Sequence, residues 1–318
     1  MSASARPPLD VAEQVPLGRY TSLRVGGPAR RFLASTDLAA LARLLDTARE
    51  ADTPVLVLGG GSNLLISDEG YDGLVVKYTG VGHRIEADSG DRLTVRAAAG
   101  VNVSNLARRL AHEGLGGLEW AATVPGTIGG AVVNNAGAFG GCIADHLVDA
   151  EIVGPDGAVR TVGASDLEYA YRASVLKRGG LGPVVVRSAR VEVHRDEPVL
   201  VTARIQEYQN RRTATQPRQL SAGSIFANPP GDYAGRLIES VGLKGERRGG
   251  AEISALHANF IVNTGSATAL DVFGLIRLAQ DAVWDRHGIW LTPEVQLVGE
   301  WDPADLARLA GPPGRGTA

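Results

Sequence analysis

The chain of 318 residues is longer than one ordinary hydrophobic core supports and predicts two or three domains. Its composition, 44% hydrophobic and 21% charged, is typical of a packed globular protein and excludes a disordered or fibrous one. The net charge is −3 and the 32 basic residues are interspersed with 35 acidic ones, so we expect no nucleic-acid partner.

We expect a cytoplasmic protein with neither a membrane nor a metal partner. No apolar run approaches the roughly 20 residues that span a bilayer, and the N-terminal segment lacks the apolar stretch of a signal peptide. Cys142 is the single cysteine and cannot form an internal disulfide, which agrees with a reducing compartment. The six histidines have no spacing typical of a zinc site.

The first predicted elements are a helix and two strands. Residues up to Val15 are rich in Ala, Pro and Ser and predict an irregular lead-in. A helix capped by Ser35 or Thr36 is then predicted from apolar residues at helical spacing, namely Leu38, Leu41, Leu45 and Ala48. Residues 55–58 predict a buried strand, and residues 74–77 predict a second strand.

The middle of the chain predicts an antiparallel sheet. Alternation predicts a strand at 93–98, and apolar spacing from Val103 predicts a short helix that ends before Gly114. Residues 114–141 hold a dense glycine series that fits neither helical nor strand periodicity, so we expect a functional loop. Gly-Pro-Asp-Gly at 154–157 predicts a hairpin between 147–153 and 158–162, and a further strand is predicted at 184–193.

The C-terminal region predicts more helices. The polar stretch 195–198 is the best candidate domain boundary, before a helix at 199–211, and another helix is predicted at 233–241. A helix at 268–287 is predicted by a capping box of Thr268 and Asp271 and by Gly288 as its end. Strands at 260–263 and 295–298 complete an α+β pattern.

The first phosphate-binding candidate is the run Gly59-Gly60-Gly61-Ser62-Asn63. Consecutive glycines after a strand let backbone N–H groups converge on an anion such as a pyrophosphate. A Rossmann loop would require a further glycine and a following helix, but Leu64 stands at that place and residues 67–70 predict a turn. For this run taken alone, a tight structural turn is the alternative.

Two further glycine-rich segments carry a family resemblance. Gly-Gly-Gly-Ser-Asn-Leu-Leu at 59–65, Val-Pro-Gly-Thr-Ile-Gly-Gly-Ala at 124–131 and Asn-Ala-Gly-Ala-Phe-Gly-Gly at 135–141 resemble the UDP-N-acetylenolpyruvoylglucosamine reductases, over a span from Thr21 to Trp301. The resemblance implies an α+β FAD-binding fold of the vanillyl-alcohol-oxidase type with noncovalent FAD. The first loop would hold the pyrophosphate, and the second would lie beside the flavin ring. The implied cofactor contacts are Gly59, Gly60, Gly61, Ser62, Asn63, Leu64, Val124, Pro125, Gly126, Thr127, Gly129, Gly130 and Gly137.

The resemblance also implies a domain division. After a lead-in at 1–15, two FAD-binding subdomains are expected at 16–78 and 79–198, and a substrate-binding domain at 199–303. Its last strand near 292–300 could return to the FAD-binding part, and 304–318 would be a tail. The spacing from Arg172 to Ser224 resembles the shorter, type II subtype. Cys142 raises the question of a covalent flavin, but a free cysteine is more often a small buried thiol.

Three motifs could carry the chemistry of an enol-ether reduction, which needs a hydride donor, a group that stabilises negative charge and a proton donor. The resemblance implies that Arg172 in Tyr-Arg-Ala-Ser binds the substrate carboxylate and stabilises the enolate. Ser224 in Ala-Gly-Ser-Ile-Phe-Ala-Asn-Pro would donate the proton. Glu294 in Thr-Pro-Glu-Val would act with the arginine, either as a protonated acid, through Arg172 or through water. Tyr171 and Asn259 are the implied substrate contacts.

Each of these residues also has a simpler interpretation. Taken alone, Arg172 would be a surface ion-pair residue, Tyr171 half-buried packing, Ser224 a loop residue and Glu294 a strand-edge carboxylate facing water. No Ser-His-Asp pattern supports a hydrolase.

The predicted reaction has two stages. NADPH reduces FAD and leaves, and the enolpyruvyl sugar nucleotide then enters the same cleft and is reduced to UDP-N-acetylmuramate, a peptidoglycan precursor. One alternative is an oxidase or dehydrogenase of the same fold that acts on an alcohol or sugar. The other is a flavin- or nucleotide-binding module without catalysis.

Overall fold

The computed structural model describes residues 9–311. Across this range, no helix is both long enough and apolar enough to cross a membrane. Residues 1–8 of the predicted lead-in and residues 312–318 of the predicted tail lie outside the described part of the chain.

The N-terminal part is a mixed sheet with one helix. Its elements are β1 (Ala12–Pro16), β2 (Pro28–Ser35), α1 (Leu38–Glu50), β3 (Val55–Val57), β4 (Leu64–Ile66) and β5 (Tyr71–Tyr78). The strand order is β1-β2-β5-β3, with β1 antiparallel to β2 and the other pairs parallel. α1 buries the predicted apolar stripe, in which Leu41 and Leu45 pack with Leu74 of β5.

Two predictions for this part are wrong. β1 forms within the predicted lead-in, because Val15 is buried in the core and its strand pairs with β2. α1 is capped by Asp37 rather than by Ser35 or Thr36, since the Asp37 carboxylate accepts two backbone N–H groups of the first turn.

The second part is a six-stranded antiparallel sheet covered by helices. Its elements are β6 (His83–Asp88), β7 (Arg92–Ala98), α2 (Val103–His112), β8 (Leu115–Gly116), α3 (Ile128–Asn134), β9 (Gly137–Ala138), β10 (Gly141–Cys142), β11 (Leu147–Val153), β12 (Val159–Gly163), β13 (Val185–Arg195) and α4 (Pro198–Thr215). The sheet has the order β12-β11-β13-β7-β6, with β8 also paired to β13. The predicted hairpin is confirmed by the pairing of β11 with β12.

The glycine series at 114–141 was predicted to be an irregular loop, and this prediction is wrong. It contains a 3-10 helix (Glu119–Thr123), α3 and the hairpin β9-β10. α3 lacks a helical apolar pattern because it packs closely on the sheet. A Cβ at Gly129 would lie 2.9 Å from the Cβ of Ala99, so only glycine permits this approach.

α4 packs on the second part of the chain, which corrects the predicted boundary at 199. Val201 and Ile205 are buried in the same core as Val191 and Val193 of β13. The C-terminal region therefore begins after Thr215.

The C-terminal part is a four-stranded antiparallel sheet with three helices. Its elements are β14 (Leu220–Ser224), α5 (Ala234–Ser240), β15 (Arg247–Arg248), β16 (Ala251–Ile253), β17 (Phe260–Asn263), α6 (Ala269–His287), β18 (Gln296–Val298) and α7 (Pro303–Ala310). The sheet order is β14-β17-β16-β15. β18 is not part of this sheet and pairs in parallel with β4 of the N-terminal part. This return brings the segment before β18 to the first glycine loop.

Both ends of α6 lie where they were predicted. The tail predicted from residue 304 is wrong for residues 304–310, which belong to a helix. Thr268 and Asp271 make the capping box, and Gly288 ends the helix at φ +64°. α7 lies where a tail was expected from 304, and the backbone carbonyl of Leu309 accepts hydrogen bonds from Gln280 and Trp290.

Candidate active site

A cleft of about 890 Å³ lies where the three parts of the chain meet. This volume is near the upper end of the roughly 300–1,000 Å³ of ligand sites, which suits a large ligand. All thirteen residues predicted to contact a cofactor line the cleft, and so do Arg172, Ser224 and Glu294. Residues from 59 to 294 therefore converge on one cavity.

The two glycine loops touch each other in the cleft wall. The Ser62 hydroxyl donates a hydrogen bond to the Pro125 carbonyl at 3.2 Å. A Cβ at Gly60 would lie only 2.5 Å from the Cα of Gly126, and Gly126 itself has φ +110°. Both positions thus require glycine, one for the close approach and the other for its backbone conformation.

The first loop is also braced from its other side. The Asn63 amide donates to the Glu294 carbonyl at 3.1 Å, and the Asn63 carbonyl accepts from the N–H of Gln296 at 3.0 Å. Lys77 donates to the carbonyl of Gly59, and burial lowers the pKa of the Lys77 ammonium. These bonds fix the loop before any ligand binds.

Arg172 is held in a strained turn. Ala170 and Ala173 exchange two backbone hydrogen bonds of 3.2 and 3.1 Å, and Arg172 between them has φ +53°. A non-glycine residue in this left-handed region costs about 1–3 kcal/mol and is frequent at functional sites. Its guanidinium Nη2 donates to the Gly137 carbonyl at 2.8 Å.

Glu294 is the charged partner of Arg172. The Arg172 Nε lies 2.8 Å from the Glu294 Oε1, with the Glu294 side chain only 7% exposed. The Nε–H bond is not aimed at that oxygen or at any other acceptor in residues 9–311, so the contact is an ion pair without an aligned hydrogen bond.

Tyr171, a predicted substrate contact, is not among the residues that line the cleft but lies next to Arg172 and Glu294. Its hydroxyl donates to the Glu294 Oε2 at 3.2 Å, and the Arg172 guanidinium carbon lies 5.6 Å from its ring centroid. Burial and, next, the charge of Glu294 raise the pKa of the Tyr171 hydroxyl. The residue as a whole is 66% exposed.

Ser224 is the last residue of β14 and lies next in sequence to a residue that is bonded to Glu294. It is opposite Phe260 in the β14-β17 pairing, after a register shift, and it is half-buried in the cleft wall. The following residue, Ile225, is buried, and its carbonyl accepts the N–H of Glu294 at 2.7 Å. The serine and glutamate segments are thereby tied together.

Asn259 does not line the cleft, which corrects its assignment as a substrate contact. Its side chain is 3% exposed and accepts from the Phe226 N–H at 2.9 Å while donating to the Phe226 carbonyl at 2.8 Å. Its amide is thus used within the protein, and it holds the chain just after Ser224.

Phe139, Lys177 and Arg212 are among the cleft residues that sequence reasoning did not assign to the site. Phe139 has φ +53° and stacks on Tyr208 of α4 with the ring centroids 4.7 Å apart. Burial lowers the pKa of the Arg212 guanidinium, and it also lowers the pKa of Lys177. Two of these three had a usable signal, since Phe139 lies within the motif at 135–141 and Lys177 lies three residues after the Tyr-Arg-Ala-Ser motif.

Cys142 lies outside the set of residues that line the cleft. It is half-buried in β10, and its pKa is raised by burial first and then by Asp145. A raised pKa reduces the thiolate fraction, so this cysteine has no activated nucleophile character.

Comparison with known proteins agrees with this arrangement. Residues 29–163 match the family described as "FAD binding domain", and residues 216–298 match "UDP-N-acetylenolpyruvoylglucosamine reductase, C-terminal domain". The glycine-lined cleft and these matches define a FAD-dependent oxidoreductase, so the predicted α+β FAD-binding fold is confirmed.

Relatives that span the whole chain make the family specific. The UDP-N-acetylenolpyruvoylglucosamine reductase of Synechococcus sp. (strain RCC307) is 47% identical over 92% of this chain and 95% of its own length. The second such reductase of Symbiobacterium thermophilum is 44% identical over 94% and 96%. The crystal structure of the Thermus caldophilus reductase is 36% identical, with a TM-score of 0.76 over 91% of this chain and 98% of that one. The chain belongs to the UDP-N-acetylenolpyruvoylglucosamine reductase family, as the resemblance predicted.

Proposed function

We propose that the protein reduces UDP-N-acetylenolpyruvoylglucosamine to UDP-N-acetylmuramate with NADPH as the hydride source, in the synthesis of peptidoglycan precursors in the cytoplasm. The observation that carries the proposal is one cleft lined by both glycine loops together with Arg172, Ser224 and Glu294. The full-length similarity to reductases of that name supports the substrate class.

The cleft fits a bound FAD. Residues 59–64 and 124–130 line the cleft and would hold its pyrophosphate and ring system, with backbone N–H groups of the glycine loops as donors to the pyrophosphate. At Gly130, an added Cβ would meet nothing nearer than 3.6 Å, so this surface is open. When bound, FAD would accept hydride from NADPH and later deliver it to the terminal carbon of the enolpyruvyl group.

Arg172 would bind the substrate carboxylate and stabilise the charge that moves onto it. Arg172 lines the cleft, and its guanidinium stays charged throughout the reaction. Glu294 would act through Arg172, since the two charges lie 2.8 Å apart and the carboxylate also accepts from Tyr171. In this proposal Glu294 orients the arginine and donates no proton.

Ser224 would protonate the carbon beside the carboxylate. Hydride addition at the terminal carbon places an electron pair on that neighbouring carbon and its carboxylate. Transfer of the hydroxyl proton completes the new C–H bond and gives the lactyl ether. A hydroxyl is a weak acid, but the enolate is strongly basic and the serine would be held beside it.

Single-turnover kinetics of a Ser224→Ala variant test this function. Reduction of the flavin by NADPH should survive, while reoxidation by the enolpyruvyl sugar nucleotide should slow by about 10²- to 10⁴-fold, the usual contribution of a general acid. Ser221→Ala is the matched control, because Ser221 lies on the same strand but outside the cleft lining.

Two outcomes would contradict the proposal. Reoxidation of Ser224→Ala at the wild-type rate would remove the serine from the mechanism. Rapid reoxidation of the wild-type flavin by oxygen, with indifference to the enolpyruvyl substrate, would favour an oxidase.

A further inference from the structure

Lys177 links the Arg172 turn to the end of α3. Its ammonium donates to the Asn134 side-chain oxygen at 2.6 Å and to the backbone carbonyl of Arg172 at 2.8 Å. Asn134 is the last residue of α3, and Lys177 also lines the cleft. The mechanism proposed above gives this lysine no role.

The Arg172 turn requires external support. Arg172 has φ +53°, a conformation that an arginine keeps only where its surroundings fix it. Ser174, which is fully buried, donates to the Val133 carbonyl at 2.6 Å and accepts the Lys177 N–H at 3.1 Å. These bonds fix the Lys177 backbone where its ammonium can donate a hydrogen bond to the carbonyl of Arg172.

Lys177 also decides the net charge of the cluster. Arg172 and Glu294 form an ion pair whose charges cancel, so within the group of Arg172, Glu294 and Lys177 the lysine contributes the excess positive charge. A site with excess positive charge binds a carboxylate more strongly than a neutral pair does, because the low-dielectric surroundings screen the charge poorly. The neighbouring Arg178 does not share this role, since it pairs with Glu168 outside the cleft lining.

We propose that Lys177 is a positioning residue for Arg172, which fixes the arginine turn and gives the cluster its net charge for binding the carboxylate of the substrate. This inference rests on the proposed function of the same cleft. It adds a fourth member to Arg172, Ser224 and Glu294, and this member acts through the arginine rather than on the reacting carbon.

Protonation of Lys177 gives the proposal a pH dependence. Burial lowers the lysine pKa, the charge of Glu294 raises it and the charge of Arg172 lowers it again, with a lowered value as the net result. The positive charge is therefore lost at a less alkaline pH than in a free lysine. Binding of the substrate carboxylate should weaken as the pH rises through that range.

Lys177→Met and Lys177→Arg separate positioning from simple packing. Lys177→Met should weaken binding of the enolpyruvyl substrate to the oxidised enzyme, measured by titration calorimetry. It should also slow flavin reoxidation by about 10- to 100-fold, the scale of a small misplacement of a reacting group. Reduction by NADPH should slow less than reoxidation, because NADPH presents no carboxylate to the arginine. Lys177→Arg keeps donors and charge and should recover most of the loss, with the alkaline weakening of binding moved to higher pH.

Double variants test whether the lysine acts through Arg172. In an Arg172→Lys background, Lys177→Met should add little further loss, because residues that act as a unit are not additive. In a Ser224→Ala background, the two losses should multiply. Arg178→Met is the matched control, since it removes a neighbouring positive charge outside the cleft lining and should change neither binding nor reoxidation.

Wild-type substrate affinity in Lys177→Met would overturn the inference, and so would full additivity with Arg172→Lys. If Lys177→Met fails to retain flavin, the wild type and Lys177→Arg are compared instead. Weakening of substrate binding at the same alkaline pH in both proteins would then overturn the inference. A wild-type enzyme that does not reduce the enolpyruvyl substrate would instead refute the proposed function.

Discussion

Gly60→Ala should separate the two glycine loops. The new Cβ would lie 2.5 Å from the Cα of Gly126, whereas carbon atoms pack at about 3.5–4.0 Å, so the loops must move apart by about 1 Å. Overpacking of this kind costs about 1–3 kcal/mol. A bound cofactor that engages both loops prevents them from relaxing, so we expect the FAD dissociation constant to rise by about 5- to 150-fold, at 1.4 kcal/mol per tenfold.

Flavin fluorescence titration of the flavin-free protein and its thermal unfolding would measure these effects. Gly130→Ala is the informative comparison, because its Cβ meets no protein atom closer than 3.6 Å and it replaces a glycine within α3. It should leave the flavin-free protein at least as stable, since alanine is favoured over glycine in a helix by about 1 kcal/mol. It should still weaken flavin binding by filling the open surface. Unchanged stability and flavin affinity in Gly60→Ala would refute the close contact of the loops.

Three further predictions concern the C-terminal part. Asn259→Ala leaves the N–H and carbonyl of Phe226 unpaired, and we expect the free energy of unfolding to fall by about 2–6 kcal/mol in urea titrations, since each buried unpaired group costs about 1–3 kcal/mol. Thr268→Ala removes the N-cap bond of α6 and should cost about 1 kcal/mol, whereas an unchanged urea midpoint would argue against the cap. Burial lowers the pKa of His257, so protonation favours the unfolded chain, and stability should fall as the pH drops below the ordinary value of about 6.5. His257→Gln should lose that part of the pH dependence, and the same acid profile in both proteins would contradict it.

Local sequence signals predicted the elements whose stabilising contacts are close in sequence. The capping box and final glycine of α6 determine where that helix begins and ends, and the turn at 154–157 determines the β11-β12 hairpin. Local sequence signals did not predict the elements that are stabilised by contacts with distant residues. β1 depends on pairing with β2, and α3 tolerates two glycines because its position on the sheet requires one of them.

The catalytic candidates were recognised in the sequence by their motifs, but the motifs contain no geometry. Arg172 and Glu294 are 122 positions apart, and no local rule predicts that their charges lie 2.8 Å from each other. The parallel pairing of β18 with β4 brings them together by carrying the C-terminal strand back to the first glycine loop. The same reasoning could not predict that Asn259 is used internally, since an amide can bind a ligand or the backbone equally well.

The sequence by itself determined the family, the use of FAD and which side chains can supply a charge or a proton, because these properties depend on residue types and their local order. The tertiary structure decided which of these groups share one cleft, that Lys177 supports the arginine turn and that Asn259 does not face the cleft. These features depend on packing between segments that are separated along the chain, from 33 residues between Phe226 and Asn259 to 122 between Arg172 and Glu294. Such packing is selected by the total free energy of the fold rather than by any single segment.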